Sequence, residues 1–349
     1  MTKFPRELKT NESISLGSFM FKSFLSAFVL TFITVSLFSG FAFAGIKVGL
    51  VLDKGGKDDK SFNSSAFEGA TKAQKELGIE LKYVEATDNN SLEVLHRNFA
   101  QKNYDLVIGI GFAQTDAIKK VAAAFPKTQF AIVDGEIKAD NVRSLLFEEH
   151  EGSFLVGAAA AMKSKSGTVG FIGGMDIPMI RRFQKGYEAG VKFINPKATV
   201  LNNYIGVTGE AWNNPAKAKE MALSQIGQKV DVIFHAAGAS GSGLFDAAAE
   251  KKIYAIGVDS NQNWMKPGVV LTSMLKRVDV AVFETIKASQ EKTFKAGVIR
   301  FGLKESGVDF SIDQNNDKLW SAPEKAKLTE IKKQIISKKI LVPDYYLTK

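Results

Sequence analysis

YDLVIGIGFAQTDAI, residues 104–118, runs on to QFAIVD at 129–134, and the plan recurs later as VDVIFHAAGASGSGLF at 230–245 and IYAIGVD at 253–259. Each pair opens on a short apolar run, turns through glycines into a helical stretch, and closes on an apolar run ending in aspartate. Short β-branched runs alternating with helix-length segments read as βαβ units of a parallel sheet. Asp105 to Asp134 spans 29 residues and Asp231 to Asp259 spans 28, so both units keep nearly one length. A shorter echo agrees: VGLV (48–51) precedes AFEGATKA (66–73), and VGFI (169–172) precedes GYEAGVKF (186–193). So weak a repeat is also what any two βαβ sheets share, but two lobes is the better reading for this length.

Working outward, strands are expected at 46–52, 79–84, 105–110 and 129–133, with helices at 62–77, 92–101 and 115–124. The second set places strands at 168–172, 199–204, 231–234 and 253–258, with helices at 180–193, 215–225 and 244–250. The predicted class is α/β: two similar three-layer lobes with parallel sheets and a ligand in the cleft between them. Lobe 1 takes residues 45–147 plus a returning segment near 277–310. Lobe 2 takes 148–272 plus the C-terminal segment near 311–349.

Residues 23–44, SFLSAFVLTFITVSLFSGFAFA, carry no charge, follow Lys22 and end in Ala42-Phe43-Ala44 before Gly45. A small-x-small ending of this kind marks a cleaved secretory signal. A membrane anchor is the competing reading, since about 20 apolar residues span a bilayer; the strand that starts at once favours cleavage. The stretch before Lys22 is long for such a signal, and Met20 would begin a more ordinary one. Removing 1–44 deletes four basic and two acidic side chains, which takes the chain from +9 to +7.

The 349 residues include no cysteine, which excludes disulfides, thiol catalysis and cysteine-bound metals. His96, His150 and His235 lie too far apart for a metal-ligand spacing; no metal and no cofactor are expected. The basic excess is not interleaved with aromatics, so no nucleic-acid partner is expected. No G-x-S-x-G or H-E-x-x-H stands in a fitting context, and a binding protein is favoured over an enzyme.

Ligands of open parallel sheets bind beyond the carboxyl ends of the strands. Asp134 and Asp259 each end a strand run, one per lobe, and would converge on a shared cleft; capping the next turn is their plainer alternative. Gly238, in the glycine-rich turn 238–243, lets backbone approach a ligand, or is simply a strand-to-helix turn. In DDKSFN (58–63), Asp59 or Ser61 is a natural N-cap, and Phe62 and Asn63 add an aromatic face and an amide at the rim. Trp212, in GVTGEAW (206–212), is placed likewise in the second half. One aromatic per lobe can sandwich a flat ligand.

Beyond these features, the chain resembles the basic membrane protein family, the purine-nucleoside-binding components of ABC importers. The resemblance rests on DDKSFNSSAFEG (58–69), GFAQTDAI (111–118), FIGGMDIPMIRRFQKGYEAG (171–190), NYIGVTGEAWNNPAKAKEMA (203–222), AAGASGSG (236–243), IGVDSNQ (256–262) and TSMLKRVD (272–279). It implies a type-I periplasmic-binding-protein fold that clamps a purine nucleoside: guanosine, inosine or adenosine. It implies Phe62 and Trp212 stacking on the base, Asp134 reading its edge, and Gly238, Asp259 and Lys276 holding the ribose. Asn63 and Asp116 are weaker carry-overs at pocket-lining motif positions. Lys276 comes from the resemblance alone. The implied partners are an ABC permease and its ATPase, and a monomer is expected. Many members carry a lipid-modified cysteine; without one, this chain is expected to be periplasmic and untethered. A sugar or amino-acid binder and a sensor uncoupled from transport stay open as alternatives. A nucleoside-cleaving enzyme is disfavoured.

Overall fold

The computed structural model describes residues 45–347; the expected signal peptide lies outside the described residues. Two six-stranded sheets form the framework. The first holds β1 (Lys47–Leu52), β2 (Glu80–Glu85), β3 (Leu106–Ile110), β4 (Gln129–Val133), β5 (Val142–Phe147) and β11 (Gly297–Phe301), in the order β11-β5-β4-β3-β1-β2. The second holds β6 (Thr168–Met175), β7 (Thr199–Gly206), β8 (Val232–Ala236), β9 (Tyr254–Asp259), β10 (Val270–Lys276) and β12 (Val308–Phe310), in the order β12-β10-β9-β8-β6-β7. Counted within each sheet, the two orders are the same. Only the sixth strand differs: β11 is parallel to β5, whereas β12 is antiparallel to β10.

Helices α1 (Phe62–Leu77), α2 (Leu92–Gln101) and α3 (Thr115–Ala124) belong to the first set. α4 (Glu149–Lys163), α5 (Pro178–Ile194), α6 (Pro215–Gly227) and α7 (Gly241–Lys251) follow, then α8 (Val278–Gln290) and α9 (Ala322–Ile336). The expected parallel βαβ plan is present, with boundaries moved where glycine or proline intervene. β6 runs past the predicted end through Gly173 and Gly174 to Met175, and α5 starts two residues early at Pro178, a residue suited to a first helical turn. α7 starts at Gly241, inside the glycine-rich turn. Strands β1, β3 and β8 are buried along almost their whole length, as sheets covered on both faces require.

The chain passes between the sheets three times: after β5, after β10 and between β11 and β12. After the second passage α8 lies along α1, so closely that a side chain at Gly69 would meet the Asp279 carbonyl. α9 closes the second lobe against α4, its start fixed by the Ser321–Glu324 capping box and by Lys163 on Glu324 at 2.7 Å.

Candidate functional site

Both sheets point the carboxyl ends of their parallel strands at one cavity. Its walls include Asp53, Gly55, Asp59, Phe62, Asn63, Gly111, Phe112 and Asp134 from the first lobe. The second lobe adds Met179, Ile180, Phe183, Trp212, Ala236 to Gly238, Val258, Asp259 and Lys276. Seven of the eight residues singled out from the sequence are therefore wall residues. Asp116 is not: it sits exposed in the first turn of α3, where an acid suits the helix N-terminus.

The two strand-ending aspartates are a conformational pair as well as a positional one. Asp134 has φ 65° and Asp259 φ 63°, a left-handed conformation that few residues other than glycine adopt, Asp among them. It turns the chain sharply at each sheet edge. Asp134 Oδ2 accepts from Lys276 Nζ at 2.6 Å, while its Oδ1 is buried without a hydrogen-bond partner. An unpaired buried acceptor is costly. Burial raises the Asp134 carboxyl above the usual range, and Lys276 pulls it back. Asp259 accepts from Ser61 Oγ; burial pushes its carboxyl up to about 7, against the pull of Lys276 and Ser61.

Lys276, the last residue of β10, is almost wholly buried. Besides Asp134 it meets Glu149 Oε1 at 3.1 Å, and its ammonium lies 5.2 Å from the Phe62 ring centre, 5.1 Å from Phe147 and 5.6 Å from Phe183. Burial pulls its pKa down; Asp134, Glu149 and Asp259 outweigh that and hold it charged. Glu149 gives its other oxygen to Arg182 Nη1 at 2.9 Å.

The amide of Asn63 is already engaged: Oδ1 accepts from the Asp53 N–H at 2.8 Å and Nδ2 donates to Asp59 Oδ2 at 3.0 Å. Asp59 fulfils the capping role, accepting from the N–H groups of Ser61, Asn63 and Ser64 at the start of α1. Across the cavity, Ser260 Oγ donates to the Ser61 carbonyl at 3.0 Å and Gln262 Nε2 to that of Lys60 at 2.9 Å. Lys54 pairs with Glu210 from the opposite lobe. These contacts join the lobes.

Trp212 stands in a short 3-10 helix, Gly209–Asn213, with its ring laid over Gly174 of β6. A Cβ at Gly174 would fall 2.1 Å from Trp212 Cζ3. Gly174→Ala is therefore expected to push the ring out of place and to weaken about tenfold the binding of any flat ligand stacked on it. A changed tryptophan emission with an unchanged binding isotherm would remove Trp212 from the ligand's path.

His96 and His235 are fully buried, each against a glutamine oxygen (Gln114 at 2.6 Å, Gln262 at 3.1 Å). Burial pushes both down to about 4, so both are neutral packing residues. Among the described residues, Glu148, His150 and Asp344 bring three ligand-type atoms within 4.8 Å. Arg182 already donates to both of those carboxylates.

Sequence reasoning missed Asp53, although it follows β1 as Asp134 follows β4; the same strand-end rule finds it. It also missed Phe183 and Glu149, for which no local pattern gives a signal.

Residues 46–345 match a family described as Bmp: ABC transporter substrate-binding protein PnrA-like. The chain is 37% identical to the CD4+ T-cell-stimulating antigen of Listeria monocytogenes, over 85% of this chain and 88% of that protein. It is 34% identical to the ABC transporter nucleoside-binding protein BmpA of Lactococcus lactis, over 87% and 91% of the two chains. A solved solute-binding protein of an ABC transporter system from Aeropyrum pernix superposes with a TM-score of 0.78 at 30% identity, covering 85% of this chain and 94% of the other. With the family matched along the whole two-lobed region, the chain belongs to the Bmp family of PnrA-like ABC transporter substrate-binding proteins.

Proposed function

We propose that this protein captures a purine nucleoside between its lobes and delivers it to an ABC permease driven by an ATPase subunit. The observation that carries the reading is the buried, unpartnered Asp134 Oδ1 in a cavity that also offers one aromatic ring from each lobe, Phe62 and Trp212. An ionised carboxylate accepts from N–H donors, which guanine supplies at N1 and N2 and hypoxanthine at N1. Guanosine and inosine are accordingly favoured over adenosine. Asp259 would accept from the ribose hydroxyls, with Gly238 bringing backbone close to the sugar. Lys276 holds Asp134 in place and lends its charge to Asp259. The Lactococcus lactis relative, named for nucleoside binding, supports the same ligand class. Among the described residues no helix is long and apolar enough to cross a membrane. A cleaved, periplasmic monomer suits the delivery role.

The test is to purify the exported protein gently, denature it and identify the released ligand by mass spectrometry, then titrate emptied protein with guanosine, inosine and adenosine. One nucleoside per chain, with a smaller scattering radius when bound, is the expected result. Release of a sugar or an amino acid, with no heat on adding any nucleoside, would overturn the reading.

A further inference from the structure

Four aspartates and one lysine line the cavity: Asp53, Asp59, Asp134, Asp259 and Lys276. The lysine is thus the one cationic side chain among these wall residues. It is occupied from two sides, by Asp134 within the wall and by Glu149, which is not a wall residue. Glu149 is itself pinned: one oxygen meets Lys276, the other meets Arg182, and the residue is almost completely buried. Arg182 is held in turn by Asp344, at 2.7 and 2.8 Å, and by Glu148. Nothing in nucleoside binding as derived above uses Glu149.

We propose that Glu149 is a specificity-determining residue that acts from behind the wall, saturating Lys276 so that the cavity admits a neutral nucleoside and refuses its phosphorylated or otherwise anionic relatives. This rests on the nucleoside reading for its ligand, although the charge argument stands without it. With Glu149 present, Lys276 faces two carboxylates and the three-residue cluster carries one excess negative charge. With glutamine there, the Lys276–Asp134 pair is neutral and the cavity is one unit less negative. A unit charge about 8 Å from an anion, at an effective dielectric of about 20, changes affinity roughly thirtyfold.

Two measurements on Glu149→Gln test this. The first is the ratio of guanosine to guanosine 5′-monophosphate affinity, expected to narrow roughly thirtyfold, chiefly through tighter nucleotide binding. The second needs no ligand. In a Trp264→Phe background, the remaining tryptophans are Trp212 at the cavity and Trp320, which is buried. Quenching by iodide relative to neutral acrylamide then reports how strongly the cavity repels an anion. That quotient should rise in Glu149→Gln and return to the wild-type value in Glu149→Gln/Lys276→Met, where the cation is removed as well. An unchanged quotient in Glu149→Gln would overturn the proposal. So would a double variant as open to iodide as the single one, because loosened packing would then be the cause. If wild-type protein binds neither guanosine nor its phosphate, the nucleoside reading falls and the iodide quotient alone decides this inference. If Glu149→Gln does not fold, Lys276→Met must exclude iodide more strongly than wild type, or the proposal fails.

Discussion

Lys276→Ala is expected to lower the stability of the ligand-free protein by roughly 3–5 kcal/mol, the range for breaking one side of a buried ion pair. The substitution leaves Asp134 with no cation and Glu149 with Arg182 alone, and both acids are nearly inaccessible. It also empties the space among Phe62, Phe147 and Phe183 that the lysine fills. For a chain of this size the melting temperature should fall by roughly 5–10 °C. The loss combines uncompensated charge with lost packing, so neutral groups that refill the space should reverse it without any ion pair. Asp134→Asn/Glu149→Gln/Lys276→Met, which replaces the cluster with neutral groups of similar size, should recover most of it. Thermal and urea denaturation at pH 7.5 give both numbers. A Lys276→Ala protein as stable as wild type would mean the two acids are protonated or hydrated, and that the cluster is not ionic.

At the other carboxylate the larger effect is on binding. Asp259→Ala should weaken guanosine binding roughly ten- to a hundredfold, since hydrogen bonds to a charged partner contribute about 1.5–3 kcal/mol. It should weaken binding of free guanine far less, because the base has no ribose. The charge state adds a signature. Burial, opposed by Lys276 and Ser61 and assisted by Asp59 and Asp134, pushes the Asp259 carboxyl up to about 7. A ligand that donates O–H groups prefers the ionised form, so guanosine affinity should climb as pH rises through 7 and level off above it. Asp259→Asn should flatten that limb. Stability responds in the opposite sense. A carboxyl raised in the folded state favours folding fully below about 4 and loses that contribution as pH rises through 7. Ligand-free Asp259→Asn should therefore match wild type at low pH and exceed it at pH 8. Equal losses for guanosine and guanine, at every pH, would take Asp259 out of the ribose site.

The sequence carried the parts of this molecule that have a period or a landmark. Strands β1, β3, β4, β8 and β9 are apolar runs bounded by turns, and α1, α2 and α3 each show one apolar face; all were legible. α4 was not, because EHEGSFLVGAAAAMK is buried nearly all round and has no polar side to set a period. β10 is hidden similarly, buried along VLTSMLK but for one position, and β12 is too short to signal at all. In the cavity, aspartates at strand ends and aromatics in polar loops could be read directly. Lys276 could not, since a lysine closing a strand looks like any surface lysine until the fold folds it inward. Glu149 is further out of reach, as its meaning depends on a lysine 127 positions away.

The sixth strand of the first sheet has a consequence for the order of folding. β11 supplies the partner of β5, pairing Gly297 with Arg143, and α8 covers α1 from still farther along the chain. Until residues 278–301 have left the ribosome, β5 is an open edge and α1 lacks its neighbour. An unpaired edge invites pairing with other chains, and contacts between distant residues form slowly because a long loop must close first. The first lobe is thus synthesised first and completed late. A nascent or truncated chain ending before β11 should be held in an unfinished state, with its long first half kept from locking into a stable sheet.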